Sequence, residues 1–117
     1  MGEAGYKNLI VWQKADLLAR AIYAETKNFP ETEKYALTSQ LRRTALSVPT
    51  NSVEGYARQS SKEFKHFLAI ALGSLAETEY LLEFSFNVEY LDQDVYHRLK
   101  DLRQKVGNLL WRFYKSI

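Results

Sequence analysis

Two carboxylate-histidine pairs, Glu63-Phe-Lys-His66 and Asp94-Val-Tyr-His97, are the residues of this sequence whose spacing most resembles a reactive site. On a helix an i, i+3 pair shares a face, and helical bundles that bind paired iron use that spacing. A metal site would need both pairs to converge. Each pair opens its own helix, however, and antiparallel helices would hold the two at opposite extremes, so the reading is two surface histidines. Glu77 and Glu79 stand two apart and point apart on a helix, which prevents them from sharing acid-base work. With no cysteine the chain has no thiolate nucleophile, no thiolate metal site and no disulfide framework. It also has no Gly-rich phosphate loop, nucleophile elbow or zinc-spaced cluster. The expectation is a non-enzymatic protein with no catalytic residues, metal or cofactor.

Positive charge is the other chemistry on offer. The formal net charge of +2 conceals blocks of alternating sign. Between residues 42 and 66, Arg42, Arg43, Arg58, Lys62 and Lys65 face only Glu54 and Glu63; residues 67–94 carry acids and no base; residues 95–117 carry bases with Asp101 as the only acid. The first block is the leading candidate for RNA or DNA contact. Arginine offers planar bidentate donors to phosphate, lysine a mobile charge, and a helix N-terminus near Ser60-Ser61 unpaired N–H groups. Arg42 and Arg58 are more than four turns apart and need not share a face, so a merely solvated surface is the bland alternative. Arg98, Lys105 and Arg112 recur every seven residues as a stripe. In a pair folded back at Leu91-Asp92, Arg98 is expected near Glu83 and Lys105 near Glu77 or Glu79, each pair contributing about 0–1 kcal/mol.

The elements that must position these groups follow from apolar spacing. Four blocks keep a heptad-like 4,3 rhythm, the mark of helices packed side by side. Val11, Ala15, Leu18 and Ile22 form the first seam, ended at Phe29-Pro30 because a residue before proline disfavours the helical region. Leu37, Leu41, Thr44 and Val48 form the second, with Pro30 or Thr32 as its start signal. Phe64, Leu68, Ala71, Leu75, Thr78, Leu82 and Ser85 form the third, opened by Ser60 and Glu63 in capping-box spacing. Val95, Leu99, Leu102, Val106, Leu109 and Phe113 form the fourth, with Asp92 as N-cap. Pro49 predicts a kink and not a stop, with Thr50, Asn51 and Ser52 available to the carbonyls it frees. Short connections make this an all-α, antiparallel up-down-up-down four-helix bundle, one domain over residues 1–117.

The third helix carries more apolar residues than one bundle can cover. Ile70, Gly73, Tyr80 and Phe84 form a second row away from its main seam, with Phe86 between the two; Ala69 and Gly73 would admit another backbone closely. Trp12 and Trp111 also call for a partner surface. Self-association through Ile70, Gly73, Tyr80, Phe84 and Trp111 is expected, against the alternative that these side chains complete a generous monomer core. The longest uncharged run, Phe67 to Ala76, is about half of what a membrane span requires. The N-terminal MGEAGYKN lacks the pattern of a signal peptide, and Tyr6 stands where a myristoylation signal has Ser or Thr. A cytoplasmic protein without membrane contact is the expectation.

The segments LIVWQKA, FPETEKYALTSQLRRTALSVPTNSVEGYAR and SSKEFKHFLAIALGSLAETE together resemble the four-helix-bundle family encoded by intervening sequences in bacterial 23S ribosomal RNA genes. The resemblance is most specific through Leu41-Arg42-Arg43, Ser47-Val48-Pro49, Asn51, Glu54-Gly55, Arg58, Ser61-Lys62-Glu63-Phe64, Phe67-Leu68 and Gly73-Ser74-Leu75. It implies a homopentameric ring of bundles around a central channel and no catalytic residues. The chain also looks like the accessory variability proteins of diversity-generating retroelements, which share the ring and act with a reverse transcriptase and nucleic acid. A nucleic-acid-binding ring is therefore expected, with a structural or protein-interaction ring, such as an accessory subunit of a nucleic-acid enzyme, as the alternative. A ribosomal-protein label fits less well, because the chain lacks long basic extensions.

Overall fold

A computed structural model describes residues 5–117, so the reading of the first four residues lies outside it. Four helices, α1 (Ile10–Thr26), α2 (Leu37–Tyr56), α3 (Ser61–Asn87) and α4 (Gln93–Ser116), account for most of the chain, with 3-10 turns at Gly5–Asn8 and Glu31–Glu33. Among the described residues there is no strand, and no helix is long and apolar enough to cross a membrane. Consecutive helices run antiparallel, as their paired ends show. Thr26 meets Arg42 between α1 and α2, and Thr44 meets Thr78 between α2 and α3. Phe86 stacks on Tyr96 at one end of the α3–α4 pair, and Phe64 meets Phe113 at the other. Glu25 pairs with Arg98, which closes α4 back onto α1. The result is a four-helix bundle measuring 43 × 24 × 23 Å.

Burial follows the apolar seams closely on three helices. Val11, Ala15, Leu18 and Ile22 on α1, Leu37, Leu41 and Val48 on α2, and Leu68, Ala71, Leu75 and Leu82 on α3 all lie in the core. On α4 the buried residues are Tyr96, Leu99, Val106 and Leu110, whereas Val95, Leu102, Leu109 and Phe113 are only half-buried. A strict seven-residue repeat drifts around a straight helix of 3.6 residues per turn, so the buried stripe steps from Val106 to Leu110 instead of continuing to Phe113. The hydroxyls in the seams avoid a desolvation cost by bonding one turn back. Thr26 donates to the Ile22 carbonyl at 2.8 Å, Ser52 to Val48 at 3.0 Å, Thr78 to Ser74 at 2.8 Å and Ser85 to Leu81 at 2.7 Å.

The helix ends show where local sequence suffices. Ser60 Oγ accepts from the Glu63 backbone N–H at 3.1 Å, the first half of the expected capping box, and its hydroxyl, not its backbone N–H, meets the Glu63 carboxylate at 3.3 Å. Asp92 accepts from the Val95 N–H at 2.8 Å. The start of α2 differs from expectation: Pro30 precedes a 3-10 turn, and the α-helix begins only at Leu37, after Ala36, which provides no side-chain cap. Helix α2 continues through Pro49. Asn51 and Ser52 bond the carbonyls of Ser47 and Val48, one turn back from each, and not that of Ala45, which the missing Pro49 N–H frees; among the described residues Thr50 makes no such bond. Helix α3 ends in a Schellman turn: the Tyr90 N–H bonds the Ser85 carbonyl and the Glu89 N–H that of Phe86, with Glu89 in the left-handed region at φ 68°. Tyr90 then donates to Glu33 at 2.9 Å and ties the two loops of that end together. That bond, followed by desolvation and the Glu33 charge, raises the Tyr90 phenol above its ordinary range.

Several sequence expectations are corrected. Arg98 pairs not with Glu83 but with Glu25 on α1 at 3.3 Å, and Glu79 is taken by Arg103 at 2.9 Å, not by Lys105. The flank of α4 that carries Arg98 faces α1, and the flank that carries Arg103 faces α3. Trp12 is half-buried against Tyr6 within the same chain, ring centroids 5.0 Å apart, so it is not a free surface aromatic. Phe86 likewise belongs to the bundle, stacked on Tyr96 at 4.4 Å and 4°.

Candidate nucleic-acid interface

Folding joins two sequence blocks that lie far apart. The α2–α3 corner, the start of α1 and the end of α4 share one end of the bundle, because the helices alternate in direction. That end gathers Lys7, Lys14, Arg58, Lys62, Lys65, Lys105, Arg112 and Lys115, against Asp16, Glu54 and Glu63. The opposite half holds Glu25, Glu31, Glu33, Glu77, Glu79, Glu83, Glu89, Asp92, Asp94 and Asp101, which outnumber its bases. The bundle is thus electrically polar along its length, and phosphate would meet its most favourable field at the α2–α3 corner.

The five basic residues singled out from sequence do not form one patch. Arg42 and Arg43 stand near the start of α2, roughly 24 Å from Arg58 at the helical rise of 1.5 Å per residue. Arg42 is also engaged: its Nε donates to Thr26 Oγ1 at 2.7 Å, its Nη2 to the Tyr23 carbonyl at 3.1 Å, and its guanidinium lies 4.7 Å from the Tyr23 ring centroid. It latches α2 to α1. Arg43 bonds Ser39 at 3.4 Å. At the basic end Arg58 pairs with Glu54 at 2.6 Å and covers the Phe67 ring, while Lys62 is exposed and makes no ion pair among the described residues. Lys65 sits over Tyr114 at 4.7 Å, Tyr114 stacks on Trp111, and Lys115 sits over Trp111 at 5.5 Å. This alternation of cation and ring suits a phosphate chain with planar bases. It escaped the sequence reading because Lys65 and Tyr114 are neighbours only across the α3–α4 contact.

The second row of α3 points outward. Ile70, Tyr80 and Phe84 are exposed, Tyr80 at 61%, and Trp111 on α4 is 49% exposed. A Cβ added at Gly73 would meet nothing within 4 Å, so no internal packing requires a glycine there. Gly55 contrasts: its Cβ would fall 2.8 Å from Phe64 Cδ1 and 3.0 Å from Phe67 Cβ, so this glycine lets α2 and α3 close at their corner. Sequence reading missed the exposed Ile10 and Leu17 on α1, Leu46 on α2 and Tyr35 in the loop. Leu46 and Tyr35 stand alone in the sequence, and Ile10 and Leu17, seven apart on α1, form a row of only two. His66 lies at the basic end against Phe67 and His97 at the other end beside Tyr96. Among the described residues no group of three or more metal-ligating side chains converges.

Residues 7–112 match the family described as 23S rRNA-intervening sequence protein. The chain belongs to that family. Membership agrees with the motifs through the α2–α3 corner, where Gly55 lets the two helices close and Ser60 caps α3. A crystal structure of a protein with unknown function from the S23 ribosomal protein family of Bacteroides thetaiotaomicron is similar: 28% identity, 91% of this chain and 99% of that chain covered, TM-score 0.81. No curated protein matches the chain.

Proposed function

We propose that this member of the family is a non-enzymatic, self-associating bundle that binds RNA or DNA through the basic end. The observation that carries the reading is the electrical polarity of the bundle, with Arg58, Lys62 and Lys65 joined by Arg112 and Lys115 from the far end of the sequence. Of the five residues first proposed, Arg42 and Arg43 leave this interface, since they lie on the opposite half. Self-association is supported by the outward row of Ile70, Gly73, Tyr80 and Phe84 with Trp111 nearby; the assembly proposed is the homopentameric ring that the family resemblance implies, in the cytoplasm. A ring would repeat the basic end and multiply its field.

Binding of a short RNA across a salt series tests the proposal. The triple variant Arg58→Gln, Lys62→Gln, Lys65→Gln should bind more weakly and show a shallower slope of log affinity against log salt, by about 0.7 for each lost single-strand contact or about 0.9 for a duplex one. An unchanged slope would remove the basic end from the interface. If the wild-type protein binds neither RNA nor DNA, the exposed α3 row favours the other reading, a ring that contacts proteins, such as an accessory subunit of a nucleic-acid enzyme.

A further inference from the structure

A cleft of about 450 Å³ lies between α1, the start of α2 and the loop that joins them, on the acidic half of the molecule. Its walls contain Lys34, Arg42 and Arg43, the rings of Tyr23 and Tyr35, and the hydroxyl of Ser39, with no carboxylate among them. We propose that this cleft binds a mononucleotide, its phosphate on the three cations and its base against Tyr35.

The cations are held ready for an anion. Arg42 is fixed by Thr26 Oγ1 at 2.7 Å and the Tyr23 carbonyl at 3.1 Å, which leaves donors of its Nη1 nitrogen for a ligand. Little side-chain freedom remains to be lost when it meets phosphate. Arg43 rests on Ser39 at 3.4 Å, and Lys34 is loosely paired with Glu31 at 3.9 Å, a contact a phosphate can outcompete. Tyr35 supplies the planar surface. It is 88% exposed, so the fold does not bury it, yet it stands beside Lys34, whose Nζ is 5.5 Å from its ring centroid. An aromatic face among cations stacks a base irrespective of sequence.

The surroundings favour one nucleotide over a strand. Glu77 lines the neighbouring depression together with Tyr35 and Arg43, and Glu31 and Glu33 occupy the adjoining turn. A single phosphate has three cations against the nearby Glu31, whereas a polyanion leaving the cleft would also run into Glu33 and Glu77. The inference does not rest on the basic end, which lies at the other extreme of the bundle.

Isothermal titration of the full chain with AMP, with adenosine and inorganic phosphate as separate probes, tests it. AMP should bind, and each half alone should bind at least about tenfold more weakly. Tyr35→Ala should lower AMP affinity about tenfold through lost stacking, and Arg43→Gln about tenfold through a lost charged hydrogen bond. Both side chains are exposed, so circular dichroism should be unchanged in either variant. The Arg58, Lys62, Lys65 variant should retain AMP binding. No heat with AMP at millimolar concentration overturns the proposal, as do wild-type affinity in both cleft variants and displacement of AMP from the cleft by a tighter-binding oligonucleotide.

Discussion

Gly55 and Gly73 both lie inside long helices, and their surroundings are opposite. Around Gly55 the Phe64 and Phe67 side chains leave no room for a methyl group; around Gly73 there is open space. The first glycine is required by the chain's own packing and the second is not. The same division runs through other residue types. Arg42 is engaged by α1 while Lys62 has no ion pair among the described residues; Phe86 is stacked inside the bundle while Tyr80, on the same helix, is 61% exposed. Groups that the fold uses explain stability. Groups that it leaves over, and donors such as those of Arg42 Nη1 that its structural bonds leave free, are where function is to be sought.

The sharpest way to break this comparison is to remove the outward row of α3. Tyr80→Gln with Phe84→Gln should reduce the molar mass in light scattering to that of the single chain, with helical circular dichroism intact. A wild-type protein that is already monomeric at micromolar concentration would show that the row is simply exposed. The two glycines supply the next test. Gly55→Ala should cost about 1–2 kcal/mol in urea unfolding, overpacking outweighing the gain in helix propensity. Gly73→Ala should instead stabilise the helix by about 0.5–1 kcal/mol while weakening self-association, because the new methyl group faces outward. If Gly73→Ala leaves the mass unchanged, the close-approach argument at that position fails.

The cations should separate in the same way. Arg42→Gln is expected to cost about 1–2 kcal/mol of stability by releasing its bonds to Thr26 and Tyr23. Lys62→Gln should stay within about 0.5 kcal/mol of wild type and lower RNA affinity instead. A smaller and opposite effect is expected at Glu89, whose left-handed backbone carries a steric cost of about 1 kcal/mol. Glu89→Gly should raise the unfolding midpoint, by less than that cost because glycine also gains freedom in the unfolded chain.

The four helices, the antiparallel order and most of the core were legible in the sequence, because each depends on spacing within one segment. Val11, Ala15, Leu18 and Ile22 on α1 and Leu68, Ala71, Leu75 and Leu82 on α3 recur with the helical period, and Ser60 and Asp92 act on N–H groups three residues away. The outward row of α3 was equally legible, since an apolar surplus on one helix can be counted along that helix. The start of α2 was not, because Pro30 is compatible with a 3-10 turn as well as with the first turn of an α-helix.

Which flank of each helix faces which neighbour was decided only by tertiary structure. Four antiparallel helices can be arranged in a left- or right-turning square with the same seams buried. The choice determines that Arg98 meets Glu25 and that Arg103, not Lys105, meets Glu79. It also determines that Lys65 lies over Tyr114 and that Arg42 is latched to α1. Charge along the sequence showed blocks, and the expected alternation of helix directions is enough to gather bases from the start, middle and end of the chain at one pole; which of those side chains adjoin, such as Lys65 and Tyr114, was decided by packing. The physical reason is range: periodicity and capping act over three or four residues, whereas the faces that meet across a bundle are selected by packing among all four helices at once.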